Sequence, residues 1–476
     1  MTKLCRTALL GCFAVALLLF APLRAPAQES SPSLLGGFDE ESPLASSEQA
    51  SGDEQGKTLP VRLSGYARLC TLYDFGHSAP DPGWTDFRGF QRLRPELFAE
   101  LTFDPASTVR LKASGKFWHD FIFDIRDSNN YSQQYIDDME NRAELWEAFV
   151  QASPKPGLEI KVGRQIVVWG NSENLRVTDV LNPLDMREIG MTDIEDLRLP
   201  IFMSKVDLVV SKVTASALAI HEIRSDWVDA FGSPYSPYPF PPPKSDELSD
   251  SIENTGFGFS LSGRFTGFDA AFYAADYYDH TSHIAVARPM RIIPAFPLPV
   301  IIPPEYERQY SKLNMFGGMA NIAVGNTLLK VEAAFKDGFE FLLVPGQKKS
   351  RLDTLAGIEY SGITDTEISV DYSVQYYLDW EPIMAYTPED IRQSESYLAA
   401  RVTHDMLHDT LHLTVVGMLI GDWGSDGWFA RAQVEYDWTD DFSTMLGGVL
   451  YGSGDMNLFQ YLDDNDRIFL NLKYSF

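Results

Sequence analysis

Cysteine is almost missing from this chain: 476 residues contain three, Cys5, Cys12 and Cys70. The first two fall in an N-terminal stretch that reads as an export leader, so the mature chain keeps Cys70 alone and forms no internal disulfide. Long apolar runs are missing as well. No stretch after residue 27 has about 18 consecutive apolar residues, which excludes helical membrane spans. Basic residues are few: 39 Lys and Arg stand against 67 Asp and Glu, a formal net charge of −28. That balance argues against a nucleic-acid partner. There is no Gly-x-Ser-x-Gly elbow, and no serine and histidine form a nucleophile pair within one segment. The expectation is therefore a protein that is not an enzyme, with no catalytic residue, no cofactor and no metal.

The leader is read from Lys3 and Arg6, the apolar run from Thr7 to Phe20 and the small-residue pattern Ala25-Pro26-Ala27. This is the build of a secretory signal peptide (residues 1–27) cleaved near Ala27. A membrane anchor is the competing reading, but the run is shorter than the roughly 20 residues a helical span needs. Cys12 after Leu9-Leu10-Gly11 faintly resembles a lipoprotein cleavage site, yet it lies inside the apolar run. Loss of Lys3, Arg6 and Arg24 with the leader makes the mature chain still more acidic. Residues 28–58, rich in Ser, Glu, Asp, Gln and Gly, read as a disordered acidic periplasmic tail.

What the chain does have is period two. In Thr366 to Leu378, the residues Ile368, Val370, Tyr372, Val374, Tyr376 and Leu378 alternate with Glu367, Ser369, Asp371, Ser373, Gln375 and Tyr377. One face suits lipid and the other water. Trp428 to Trp438 repeats the pattern with aromatic residues at both ends, as a membrane girdle requires. The last segment turns Ile468, Leu470, Leu472, Tyr474 and Phe476 outward and Arg467, Asn471, Lys473 and Ser475 inward. Its terminal aromatic resembles the signal read by the outer-membrane insertion machinery, which makes that machinery an expected partner.

About eighteen such segments begin near residues 61, 90, 108, 142, 158, 202, 213, 255, 266, 311, 327, 352, 366, 394, 410, 427, 443 and 467. The connections alternate short and long without exception. Transmembrane barrels have short periplasmic turns, longer extracellular loops and an even strand number. The fold expected over residues 59–476 is thus an all-β, antiparallel up-and-down transmembrane barrel of about 18 strands, with 16 as the alternative, in the bacterial outer membrane among lipid and lipopolysaccharide. A soluble β-sandwich or β-helix also shows period two, but requires neither apolar outer faces nor alternating loop length.

A barrel of this size encloses an aqueous lumen, and its inward residues and infolded loops decide what passes. The first strands turn Arg62, Arg68, Arg92, Arg94, Arg110, Lys112 and Lys116 inward, interrupted by Glu96 and Glu100 and extended by Lys161 and Lys205. Later strands turn in Glu332, Glu359, Glu367, Asp371, Glu435 and Asp437. Two readings stand: a transverse field favouring polar or charged solutes, or charges that pair across strands and keep the lumen wet.

The fifth connection, Trp169 to Pro200, breaks the alternation and is expected to fold inside and constrict the barrel. Leu175, Val177, Val180, Leu181 and Leu184 predict short helical turns broken by Pro183, and Thr192 with Glu195 has capping-box spacing. Its charges, Glu173, Arg176, Asp179, Asp185, Arg187, Glu188, Asp193, Glu195, Asp196 and Arg198, form either a paired network or an eyelet that touches solute. The run Gly163-Arg164-Gln165, Val168-Trp169-Gly170, Leu175-Arg176, Asp179, Asn182-Pro183, Asp185, Arg187-Glu188, Glu195-Asp196, Arg198, Pro200 and Met203-x-Lys205 resembles the signature of a large proteobacterial outer-membrane family. That family carries a domain-of-unknown-function name and is similar in layout to alginate-export barrels. The resemblance covers about 45 residues and implies a porin-like or export channel, with cargo proposals from polysaccharide to lipid. Alternation places Arg164 outward unless a bulge at Gly163 shifts the register, and the bulge is expected, since a lipid-facing arginine costs up to a few kcal/mol.

Two proline-rich connections, Pro234 to Pro243 and Pro289 to Pro304, read as rigid lids packed on their neighbours. The second is apolar enough to hold a hydrophobic ligand or lie against lipid. His404, His408 and His412 have metal-ligand spacing but flank a predicted turn, and His280 and His283 sit near Asp276 and Asp279. The functions that remain are a solute or export channel, a plugged barrel serving as a structural or ligand-binding surface protein, a conduit for lipid or hydrophobic compounds, and an outer-membrane hydrolase.

Overall fold

The computed structural model describes residues 61–476 apart from 237–240, 246–251, 295–297 and 299. The expected leader and acidic tail lie outside the described residues. Period-two sequence becomes strand throughout: β1 (Val61–Asp74), β2 (Gly89–Ala106), β3 (Val109–His119), β4 (Asn141–Lys155), β5 (Leu158–Gln165), β6 (Ile201–Val210), β7 (Val213–Ile220), β8 (Gly256–Phe265) and β9 (Phe268–Tyr278). Four short loop strands follow: β10 (His283–Arg288), β11 (Arg291–Ile293), β12 (Val300–Ile302) and β13 (Glu305–Gln309). The second half contains β14 (Lys312–Val324), β15 (Thr327–Phe339), β16 (Lys349–Ile363), β17 (Thr366–Tyr377), β18 (Ser394–Met406), β19 (Leu411–Ile420), β20 (Gly427–Thr439), β21 (Phe442–Gly452) and β22 (Arg467–Ser475).

Eighteen of these form one antiparallel sheet that closes on itself, because β1 pairs with both β2 and β22. Closure leaves no unpaired edge, the condition for placing a sheet in hydrocarbon. The last residue takes part: Phe476 N–H donates to the Gly65 carbonyl and Gly65 N–H to that of Phe476, each at 2.9 Å. Eight connections have two to four residues and nine run from six to thirty-five, alternating around the barrel. The outer face carries Phe257 and Phe259 of β8, Phe272 of β9, Phe316 of β14 and Leu446 of β21, all about half exposed or more. A continuous apolar exterior of this extent belongs in lipid.

The ladder stays in register through Gly163, so the expected bulge is not there: Phe149 and Met203 face Gly163, and Ala148 and Phe202 face Arg164. Without the bulge Arg164 stands on the outer side of the ladder and is not the lumen-lining residue it was expected to be. It is tolerated because it is the last residue but one of β5, where its guanidinium reaches Glu144 Oε1 at 2.9 Å, Glu222 at 3.6 Å and the Pro200 carbonyl at 3.1 Å. Gly163 itself has φ 138°, and a Cβ there would lie 2.2 Å from the Ala148 carbonyl oxygen. Gly163→Ala is expected to cut the yield of folded barrel sharply, read as loss of the heat-modifiable band in SDS gels.

Candidate functional site

From the end of β5 the chain leaves the wall and occupies the lumen as Ile166 to Pro200 before rejoining it at β6. Asn182, fully buried, joins the start of this segment to its end. Its side chain accepts from Val167 N–H at 2.8 Å and donates to the carbonyls of Gln165 at 3.2 Å and Leu199 at 2.9 Å. A buried amide that pairs three backbone groups fixes both ends of the segment at one point.

The far side is held by carboxylates of the wall. Glu332 of β15 projects inward and receives Asn171 N–H at 2.8 Å and Ser172 N–H at 3.3 Å on one oxygen. Its other oxygen receives Thr178 N–H at 3.3 Å and Thr178 Oγ1 at 2.8 Å. Gly170 makes the approach possible: at φ 83° it turns the chain around the carboxylate, and a Cβ would stand 2.7 Å from both Glu332 oxygens. Successive backbone N–H groups wrapped about an anion form the nest usually seen around phosphates. Asp371 of β17, without solvent exposure, accepts from Asn174 Nδ2 at 2.7 Å and Ser172 Oγ at 3.1 Å. His280, in the connection after β9, sets its ring nitrogens 2.8 Å from the Arg224 carbonyl oxygen and 3.1 Å from those of Val180 and Leu181.

Apolar residues complete the attachment. Val167, Trp169, Leu175, Val177, Val180 and Leu181 pack against Tyr273, Met315, Leu355 and other inward side chains of β6 to β18. The Trp169 ring stacks on Tyr273 with centroids 4.9 Å apart. Further along, Glu188 is ion-paired with Arg92 and has Arg94 at 4.0 Å. The Ile189 carbonyl accepts from Tyr451 OH at 2.6 Å, and Asp193 meets Arg401 at 3.2 Å and also Arg431. A segment bonded to β2, β15, β17, β18, β20 and β21 spans the lumen from wall to wall.

Two sets of ion pairs lie inside the segment, the second also reaching out of it through Arg187 Nη1, which donates to the Asp138 carbonyl at 2.7 Å. Asp179 takes Arg176 at 3.0 Å and Arg198 at 2.9 Å, and Asp185 holds Arg187 through two bonds of 2.8 and 2.6 Å. Trp227, from the connection after β7, lies under three guanidinium groups: Arg142 at 3.9 Å, Arg187 at 4.5 Å and Arg224 at 4.6 Å from its centroid. Cation–π contacts of this kind stabilise by about 0.5–2 kcal/mol each. Nothing in the local sequence announces Trp227, because its partners come from three separate stretches of chain.

The helical turns expected over Leu175 to Leu184 do not form. That stretch is irregular, since wall and loop side chains take up the backbone groups a helix would pair, and Pro183 removes another donor. The single turn Ile194–Leu197 starts one residue later than the predicted cap, on Asp193, whose side chain makes no cap bond because it serves Arg401 and Arg431. Thr192 and Glu195 therefore form no capping box.

The basic wall is inward as expected but largely matched. Arg68 meets Glu96 at 2.7 Å, with Lys116 at 3.6 Å from the same oxygen, and Lys112 lies between Glu100 at 2.9 Å and Glu147 at 3.0 Å. Lys205 meets Asp207 at 3.2 Å, opposite Lys161 in the ladder. Arg62 and Arg110 share Asp104 at the short-turn end of the barrel. The segment has seven carboxylates and three arginines. After the pairs above, Glu173, Glu195 and Asp196 are left without an ion-pair partner among the described residues. Carboxylate oxygens of Glu173, Glu359 and Glu367 lie within 4.8 Å of one another, with Lys330 Nζ 2.6 Å from Glu359.

The histidines considered as ligands do not converge. His412 spans Asp405 at 2.7 Å and Asp437 at 3.1 Å, His404 bonds Thr366 at 2.8 Å, and His408 sits in the turn at φ 60°. His280 serves the luminal segment, while His283 faces Ser311 at 3.3 Å.

A closed 18-stranded barrel with an apolar exterior, alternating loops and a connection folded into its lumen is an outer-membrane β-barrel with porin architecture. Residues 91–393, well over half of the chain, match the family described as "Protein of unknown function (DUF1302)", and the chain belongs to that family. No curated protein matches it. Solved barrels of similar fold include OccAB1 of Acinetobacter baumannii, with TM-score 0.52 and 11% identity over 87% of this chain and 96% of that one. A BenF-like porin from Pseudomonas fluorescens Pf-5 gives TM-score 0.52 and 10% identity over 88% and 98%. OpdK of Pseudomonas aeruginosa, solved with vanillate, gives 0.50 and 10% over 87% and 98%. At these identities the likeness is one of fold.

Proposed function

We propose that the protein is a porin-like outer-membrane channel for small polar and charged solutes, with the luminal segment as its selectivity device and a preference for cations. The observation that carries this reading is the unequal matching of luminal charge. Arg68, Lys112, Lys116 and Lys205 of the β1 to β6 wall stand next to carboxylates of the same wall and Arg92 and Arg94 next to Glu188, whereas Glu173, Glu195 and Asp196 have no such partner and Glu173 adjoins Glu359 and Glu367. Unmatched carboxylates beside a narrow, low-dielectric passage raise the local concentration of cations and repel anions.

Planar-bilayer recordings in a KCl gradient test this. The expected reversal potential is that of a cation-selective pore, and the double variant Glu173→Gln/Glu367→Gln is expected to move the permeability ratio toward unity. An anion-selective pore would overturn the cation preference. Silence under all salts and voltages would overturn the channel reading in favour of a plugged barrel that presents its loops to a ligand.

A further inference from the structure

The connection between β9 and β14 contains the stretch Pro289 to Pro304, and in it the expectation of a packed lid fails. The first proline-rich connection packs at Tyr235, which is 2% exposed with its hydroxyl 3.0 Å from that of Tyr451. In the second, the described residues from Pro289 to Pro303 are exposed. Its base is a ribbon of β10 paired with β13, fixed by Arg308, which donates to the carbonyls of Lys244 at 2.9 Å and Pro243 at 3.1 Å, and by Ile284 N–H on Glu389 at 2.9 Å. Beyond it, β11 pairs with β12 in register Arg291 to Ile302, Ile292 to Ile301 and Ile293 to Val300. Of this tip, Ile292, Ile293, Val300 and Ile301 are 58, 49, 52 and 60% exposed.

Neighbouring residues of a strand face opposite ways, so the tip offers isoleucine or valine on both of its faces. A protein partner laid on a two-stranded ribbon covers one face; hydrocarbon covers both. The charge of the stretch points the same way. In a chain of net charge −28, the sixteen residues from Pro289 to Pro304 include no carboxylate and one cation, Arg291. Such a segment meets no repulsion from an anionic lipid surface, and Arg291 is placed to keep its guanidinium among headgroups while the isoleucines go deeper, with Arg288 at the base paired to Glu305 at 3.2 Å. Hydrocarbon is within reach: the thirteen residues from Asp279 to Arg291 extend up to about 40 Å at 3.3 Å per residue. The apolar outer face of β9 and β14, with Phe272 and Phe316 68 and 64% exposed, already defines the lipid contact beside which this connection starts.

We infer that the β11–β12 tip inserts into the outer leaflet of the membrane that holds the barrel, as a second, loop-borne lipid contact. Nitroxide labels test it on the full-length protein, reconstituted at one barrel per lipid nanodisc. Cysteine is placed at Ile292 or Ile301 in a Cys70→Ala background, with labels at lipid-facing Phe272 and at exposed Lys348 as references and heat-modifiable migration as the folding control. The expected result is a ratio of oxygen to nickel-complex accessibility at 292 and 301 that matches Phe272 and exceeds that at Lys348 several-fold. Accessibility equal to that of Lys348 would overturn the inference. So would an apolar environment that arises only when several barrels share a disc, because the tip would then be meeting protein.

Discussion

Glu332→Ala is expected to raise single-channel conductance several-fold and to make the open state noisy, with no loss of the folded barrel. One carboxylate accepts four hydrogen bonds from Asn171, Ser172 and Thr178. Hydrogen bonds to a charged group contribute about 1.5–3 kcal/mol each, and truncation leaves the N–H groups of the nest without a partner. The backbone ladders of β15 with β14 and β16 do not depend on that side chain, so the wall persists while the segment swings away from it. Glu332→Gln keeps one acceptor and turns an N–H₂ donor toward the Thr178 N–H, so an intermediate conductance is expected. Wild-type conductance and noise in Glu332→Ala would mean that the nest does not hold the segment in place.

Asn182→Leu is expected to speed amide hydrogen exchange across Val167 to Leu199 on the order of a hundredfold, while the strands keep their protection. The substitution preserves bulk but orphans three backbone groups at a fully buried point. Leaving a buried donor or acceptor unsatisfied costs about 1–3 kcal/mol. A loss of about 3 kcal/mol in the opening free energy corresponds to roughly a hundredfold in exchange. Peptide-level mass spectrometry on the protein in lipid reads both regions at once, and unchanged exchange in the segment would show that apolar packing alone retains it.

Much of the barrel was legible in the sequence. All eighteen expected starting points fall within three residues of the observed strands, including the short β5 and β7. Alternation survives along a transmembrane strand because each residue meets either lipid or the lumen, and one slip would exchange the two faces. Arg164 shows where that logic stops. The expected bulge would have turned it into the lumen; it stands outward instead, and a strand end and two glutamates accommodate it.

The luminal segment was legible as an anomaly and not as a structure. Apolar spacing from Leu175 to Leu184 looks helical, yet a helix needs its own N–H groups, and here those of Asn171, Ser172 and Thr178 go to a glutamate about 160 positions away in the chain. Glu332 and Asp371 were recognisable as inward acids, but their role as anchors follows only from what the barrel brings opposite them. The tip at Ile292 and Ile301 differs in another way: its proline-rich composition read as a packed lid, and only the tertiary structure leaves these residues exposed.

By itself, then, the sequence determined the membrane barrel and a strand number of about eighteen, with sixteen as the alternative, because both are written in local alternation and loop length. Which charges cancel and which remain to face solute was decided by tertiary structure alone. Arg92 and Glu188, or Arg431 and Asp193, are far apart in the chain and meet only when the barrel closes around the segment. Pairing across a closed lumen depends on strand order and shear, and neither leaves a trace in any single stretch of sequence.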